Sequence, residues 1–211
     1  MHSSIMITKA APDKALVTLY EAKVSLRLPT NGTTNDELLK FAINRASDEV
    51  NWTCARDFAY ETVIEKFHEI LNPITRLYLS RYPVKPEEVV SIDVNNSSID
   101  PATYEVDEQS GKVTILGGIW AEDVTVTYSG GYKIPQGVPP ALRQACLLLT
   151  REAYYSSLRG DPSVRSITHK ESRIMYFDPN AALKGSAGAG GGTPAAKAAE
   201  ALLFNFMKVM A

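Results

Sequence analysis

Apolar residues recur at helical spacing in two stretches of the chain, with short strand-like runs between them. Leu39, Ala42, Ile43, Ala46 and Val50 form one stripe, while Asp36, Lys40, Arg45 and Asp48 take the other face. Residues 34–54 therefore read as an amphipathic helix. Leu142, Ala145, Cys146, Leu149 and Ala153 make a second stripe over 141–158, with Pro140 suited to its first turn. Gly160 ends that helix and Pro162 prevents its resumption. A shorter helix, at about 18–28, opens on Thr18 with Glu21 three positions on, and Thr34 with Glu37 repeats the pair. In such a capping box each side chain bonds a free backbone N–H of the other residue.

The period then changes. Short runs at about 60–67, 77–82, 89–94, 104–106, 113–116 and 124–128 are separated by turn residues such as Asn95-Asn96-Ser97-Ser98, Gln109-Ser110-Gly111 and Gly117-Gly118. Short strands with regular turn signals predict a small antiparallel sheet, which Ser129-Gly130-Gly131 leaves. The order helix, helix, strands, helix is α+β: a small helical core with a short-stranded antiparallel β region. The helices at 34–54 and 141–158 are expected to pack together as the core of a domain spanning 17–160. Residues 1–16 read as a flexible N-terminal arm and 161–184 as an extended arm with scattered apolar positions. Residues 185–193 are a Gly-rich linker. Thr193 then caps and Pro194 opens a last helix over 194–211.

Composition narrows the picture. With 211 residues, 45% of them hydrophobic, the chain can build a real core. A formal net charge of -2 gives no overall pull toward phosphates. Cys54 and Cys146 both fall in predicted helices and read as reduced, buried, small apolar residues. The first fourteen residues lack the apolar stretch of a secretion signal, and no run reaches the roughly 20 apolar residues of a membrane span.

Candidate chemistry is sparse. His2, His68 and His169 are far apart, with no metal-ligand spacing and no neighbouring cysteine. His68 is placed at a strand edge and the other two in arms. No serine sits in a nucleophile elbow, and Gly130-Gly131 lacks the Lys and Ser/Thr of a phosphate loop. The expectation is therefore no enzyme, no cofactor and no metal. Trp52 and Trp120 read as partly buried against the core.

The final helix carries the strongest functional signal. Leu202, Leu203, Phe204, Phe206, Met207, Val209 and Met210 crowd its end and cover more than one face. Left bare, such a helix would aggregate. It either folds back on its own domain or docks on a partner, and its polar face lacks the basic row of a membrane-surface helix.

Three blocks bring a family into view. They are Leu16-Val17-Thr18-Leu19-Tyr20-Glu21-Ala22-Lys23-Val24-Ser25-Leu26-Arg27 with Asp36-Glu37-Leu38-Leu39; then Tyr82-Pro83-Val84, Val90-Ser91-Ile92, Tyr104-Glu105-Val106 and Gly111-Lys112-Val113; then Val124-Thr125-Val126-Thr127-Tyr128-Ser129-Gly130-Gly131-Tyr132 with Val138-Pro139-Pro140-Ala141-Leu142. In order and spacing, over about 16–158, the chain resembles head–tail connector (adaptor) proteins of long-tailed phages and gene-transfer particles. That resemblance implies a virion protein of the neck, between head and tail. It forms a homo-oligomeric ring, usually a dodecamer, on the portal protein. The ring extends the DNA channel without sequence-specific binding and offers a surface to the next neck or tail component. No catalysis or cofactor is implied, and no membrane is involved. Family members commonly grip the portal with a C-terminal extension, which places Leu202, Leu203, Phe204, Phe206, Met207 and Met210 as expected portal contacts. Ile167, Ile174, Tyr176 and Phe177, in an arm without a core of its own, are expected contacts between subunits. The alternatives are another neck or tail-completion protein, or a small hydrolase or binding module with a dispersed site.

Overall fold

The computed structural model describes residues 2–68, 70, 73–158, 166–169, 172–175 and 193–207. The chain divides into two compact units, Met1–Lys14 with Ala55–Val138, and Ala15–Cys54 with Pro139–Ala211. The fold is α+β, as the sequence predicts, but the β region is two antiparallel sheets rather than one.

The first unit holds β1 (His2–Lys9), β2 (Glu61–His68), β3 (Arg76–Tyr78), β4 (Val89–Val94), β5 (Ser97–Ser98), β6 (Tyr104–Asp107), β7 (Lys112–Ile115) and β8 (Val124–Gly130). One sheet runs β1-β2-β8-β4-β5 and the other β3-β7-β6. Burial alternates along the central strands. Glu61, Val63, Glu65 and Phe67 of β2 point inward, as do Val124, Val126, Tyr128 and Gly130 of β8. Val63, Phe67, Leu77, Ile92, Val113 and Trp120 meet in one core, where each large apolar side chain contributes roughly 1.5–3 kcal/mol. Two glycines end β8 for a steric reason. A Cβ on Gly130 would lie 2.4 Å from the Arg81 carbonyl oxygen, and one on Gly131 (φ 108°) would lie 2.4 Å from that of Ala59. Only a bare backbone fits there.

The second unit holds α1 (Leu19–Ser25), α2 (Asp36–Thr53), α3 (Pro140–Leu158), α4 (Pro194–Leu203) and a hairpin of β9 (Ser166–His169) with β10 (Ser172–Met175). The Thr18–Glu21 capping box is complete. The Glu21 N–H donates to Thr18 Oγ1 at 3.1 Å and the Thr18 N–H to Glu21 Oε2 at 2.8 Å. α2 and α3 pack together as expected, and α4 lies on α3. Leu39 and Ala42 of α2 join Leu26 and Tyr154 in a cluster. Ser47 sits within the α2 stripe without penalty, because its hydroxyl donates to the Ile43 carbonyl and accepts from the Leu16 N–H. Lys23 is buried for a similar reason: its ammonium donates to the Gly32 carbonyl at 2.7 Å and lies 2.5 Å from Asp36.

Several expectations change. Residues 2–9 are not an arm but a strand, because β2 supplies an antiparallel partner more than fifty residues away. His2 and His169 are therefore strand residues. The expected extended arm at 161–184 contains the β9–β10 hairpin, while all of its other residues lie outside those described. The second capping box does not form. Asn35, not Thr34, is the N-cap of α2, without a side-chain cap bond. The one-residue shift breaks the box spacing, and Glu37 pairs with Lys40 instead. Trp120 is buried, whereas Trp52 is 85% exposed.

Candidate functional site and assembly surfaces

Polar chemistry concentrates inside the first unit, where the stretch after β3 crosses the inner face of β2 and β8. Arg81 is the hub. Its Nε donates to Glu61 Oε2 at 3.2 Å and its Nη2 to Asp57 Oδ2 at 2.5 Å. Glu61 also receives Lys14 Nζ at 3.2 Å and the Ala11 N–H at 3.4 Å. Burial alone would favour neutral Glu61. The charge and hydrogen bonds of Lys14, with the Ala11 N–H and Arg81, outweigh it and hold its pKa below the ordinary value. Four residues further along β2, Glu65 accepts from the Ser80 hydroxyl at 2.6 Å, the Ser80 N–H at 3.0 Å and the Tyr128 hydroxyl at 2.7 Å. Tyr128 in turn accepts from the Arg81 N–H at 3.1 Å. Burial pushes the Tyr128 pKa well up, with Glu65 adding to the shift, so the phenol stays a donor. Beside this cluster the Arg56 guanidinium donates to the Tyr82 carbonyl and stacks over the Tyr82 ring.

This network braces the sheet. Glu61 and Glu65 are fully buried, and the groups around them are occupied by one another. Burial also pushes the Cys146 thiol up to about 11, which makes it a poor nucleophile at neutral pH. Among the described residues no three His, Cys, Asp or Glu side chains are grouped to hold a metal ion, and no described helix is long and apolar enough to cross a membrane. Nothing in the sequence signals the network, because carboxylates at alternate strand positions usually mark a solvated face.

The exposed apolar side chains are the surfaces open to partners. On the second unit, α4 buries Ala199 and Leu203, one turn apart. Its Thr193 cap accepts from the Ala196 N–H and donates to Glu152 of α3 at 2.6 Å. The helix thus folds back on its own unit. It stops at Leu203, where the sequence predicts continuation to 211, and a 3-10 turn of Phe204–Phe206 follows. Of the expected portal contacts, Leu203 is buried and holds α4 in place, which removes it from an outer surface. Leu202 and Phe206 are half-buried, and Phe204 and Met207 are exposed. Met210 lies outside the described residues, as do Tyr176 and Phe177. Ile167 and Ile174 are paired in the backbone register of the hairpin. Tyr20 and Val24, one turn apart on α1, and Phe41 and Trp52 on α2 are also exposed. In the first unit, Ile5, Met6 and Ile7 of β1 are exposed.

Comparison with solved structures finds the same fold. A chain in the neck of an empty GTA particle computed with C6 symmetry superposes with a TM-score of 0.62 at 17% identity, covering 99% of this chain and 97% of that one. A chain in the neck of a native GTA particle computed with C12 symmetry gives 0.58 at 15% identity, covering 99% and 97%. One from the virion of a native gene transfer agent (GTA) particle gives 0.57 at 16%, covering 98% and 96%. No curated protein matches the chain in sequence. The Head completion protein family model matches residues 15–165, running from the last residues before α1 through β2 to β8 and on beyond α3, with β1 outside it, and on that match the chain belongs to the Head completion protein family.

Proposed function

We propose that the chain is a head–tail connector (adaptor) subunit located in the neck of a phage-like particle. It forms a homo-oligomeric ring of twelve copies on the portal protein, extends the DNA channel, and presents a surface to the next neck or tail component. The observation that carries this reading is the near end-to-end likeness to chains in symmetric neck assemblies, at 99% of this chain and 97% of the other. Family membership supports it. The role is one of assembly rather than a reaction, in keeping with a polar cluster whose groups are buried and mutually bonded.

The portal contact falls to the tip beyond α4, with Phe204 and Met207 as its exposed apolar groups and Leu202, Phe206 and Met210 beside them. Leu203 anchors the helix to α3. Residues 166–175 with Tyr176 and Phe177 supply contacts between subunits. Duplex DNA passes through the channel without sequence-specific contacts, and free protein binds it weakly at physiological salt. The test is co-sedimentation of purified protein with portal-bearing heads. Phe204→Asp with Met207→Asp leaves a folded chain and abolishes attachment. Attachment equal to wild type removes the tip as the portal contact, and wild type that never binds heads removes the connector reading.

A further inference from the structure

β1 is an edge without a cover. Among the described residues it pairs only with β2, and no residue from Ser3 to Lys9 is buried. Ile5 and Ile7 lie in register with Glu65 and Val63, on the face whose β2 side chains are buried, yet they are 40% and 42% exposed. Met6, in register with Ile64 on the other face, is 56% exposed. The strand is eight residues long. Its only features that discourage further pairing are a register shift and Lys9, both at one end. Edge strands that must stay single are short, charged or interrupted by proline; this one has three consecutive apolar residues at its centre.

The same chain carries the complementary deficit. Among the described residues β9 and β10 pair with each other and with no other strand. A two-stranded hairpin of four residues a side is marginal in water without a third strand. A closed ring needs two different, matching patches on each subunit, whereas a twofold dimer needs one self-complementary patch. An open edge and an open hairpin are two such patches.

We propose that β1 of one subunit receives the β9–β10 hairpin of a second copy of this chain, extending the five-stranded sheet across the ring interface by backbone hydrogen bonds. Ile5, Met6 and Ile7 supply the apolar cover on both faces of the join. This rests on the ring reading above and names the partner of β1 within it.

The experiment uses full-length protein under conditions where wild type assembles, on portal-bearing heads or in concentrated solution. Ile5→Cys and Ile174→Cys are made singly and together, then treated with a short bismaleimide. Cys54 and Cys146 are buried, so wild type serves as the unlinked control. The double variant gives a ladder of covalent multimers and the single variants give none. Ile5→Lys with Ile7→Lys, at exposed positions, keeps the circular dichroism of wild type and raises the concentration needed for assembly by roughly tenfold or more. Dimers from Ile5→Cys alone, with no ladder from the double variant, overturn the proposal in favour of twofold β1 pairing. Normal assembly with no ladder, or full assembly of the double-Lys variant, overturns it while leaving the ring intact. Wild type that stays monomeric everywhere removes the ring reading, and this inference with it.

Discussion

Replacing Arg81 by Met tests whether the buried network braces the first unit. Arg81 is 6% exposed and faces fully buried Glu61 at 3.2 Å. Removing one partner of a buried ion pair strands the other, at a cost of about 3–5 kcal/mol. Lys14 stays 3.2 Å from the opposite Glu61 oxygen, so the loss falls near the lower end, about 3 kcal/mol. Adding Glu61→Gln removes the stranded charge, and the double variant recovers about 1–2 kcal/mol relative to the sum of the singles. Urea unfolding read by Trp fluorescence reports on the right unit. Buried Trp120 belongs to the first unit, while Trp52 on α2 is already exposed and can be replaced by Phe. The midpoint should fall with the slope unchanged. The pH dependence has a fixed sign. Because the folded-state pKa of Glu61 is lowered, its contribution is complete above the unfolded carboxylate pKa and disappears as pH falls through the folded value. The gap between wild type and Arg81→Met therefore narrows in acid. A loss below 1 kcal/mol at neutral pH, or strictly additive variants, would falsify the brace.

Gly131→Ala should destabilise the first unit by well over the roughly 1–2 kcal/mol of left-handed strain alone, since its Cβ would meet the Ala59 backbone. Gly117→Ala, with open space around it and φ 71°, should cost only that strain, and comparing their melting temperatures separates clash from conformation. Leu203→Ala should loosen α4 by about 2–5 kcal/mol, seen as faster hydrogen exchange in that helix. Phe204→Ala, at 74% exposure, should change stability by no more than about 0.5 kcal/mol while weakening attachment to heads. Thr193→Ala should cost about 1 kcal/mol, read as a lower α4 helix content, through loss of the cap and of the bond to Glu152.

Local sequence determined the elements whose stabilising groups lie within a turn or two of each other. The α2 and α3 stripes, the Thr18–Glu21 box and the Thr193-Pro194 start of α4 all stand where the spacing puts them, within a residue or two at the ends. The order and spacing of the three blocks pointed to particle assembly, and the chain belongs to the Head completion protein family. The apolar crowding after α4 was visible too, but not its division. Which side of α4 faces α3 is settled by packing, and that leaves Leu203 inside and Phe204 outside.

What tertiary structure alone decided depends on partners distant in the chain. Ser3-Ser4-Ile5-Met6-Ile7-Thr8 is too short to declare itself a strand without β2 beside it. In β2 the apolar pair Val63-Ile64 leaves the inward face undecided, and the carboxyls of Glu61 and Glu65 argue for solvent. They point inward because Ser80, Arg81 and Tyr128, from two other segments, supply the donors that water would otherwise give. A buried polar group is affordable only when its bonds are made, and where they are made is a property of the fold.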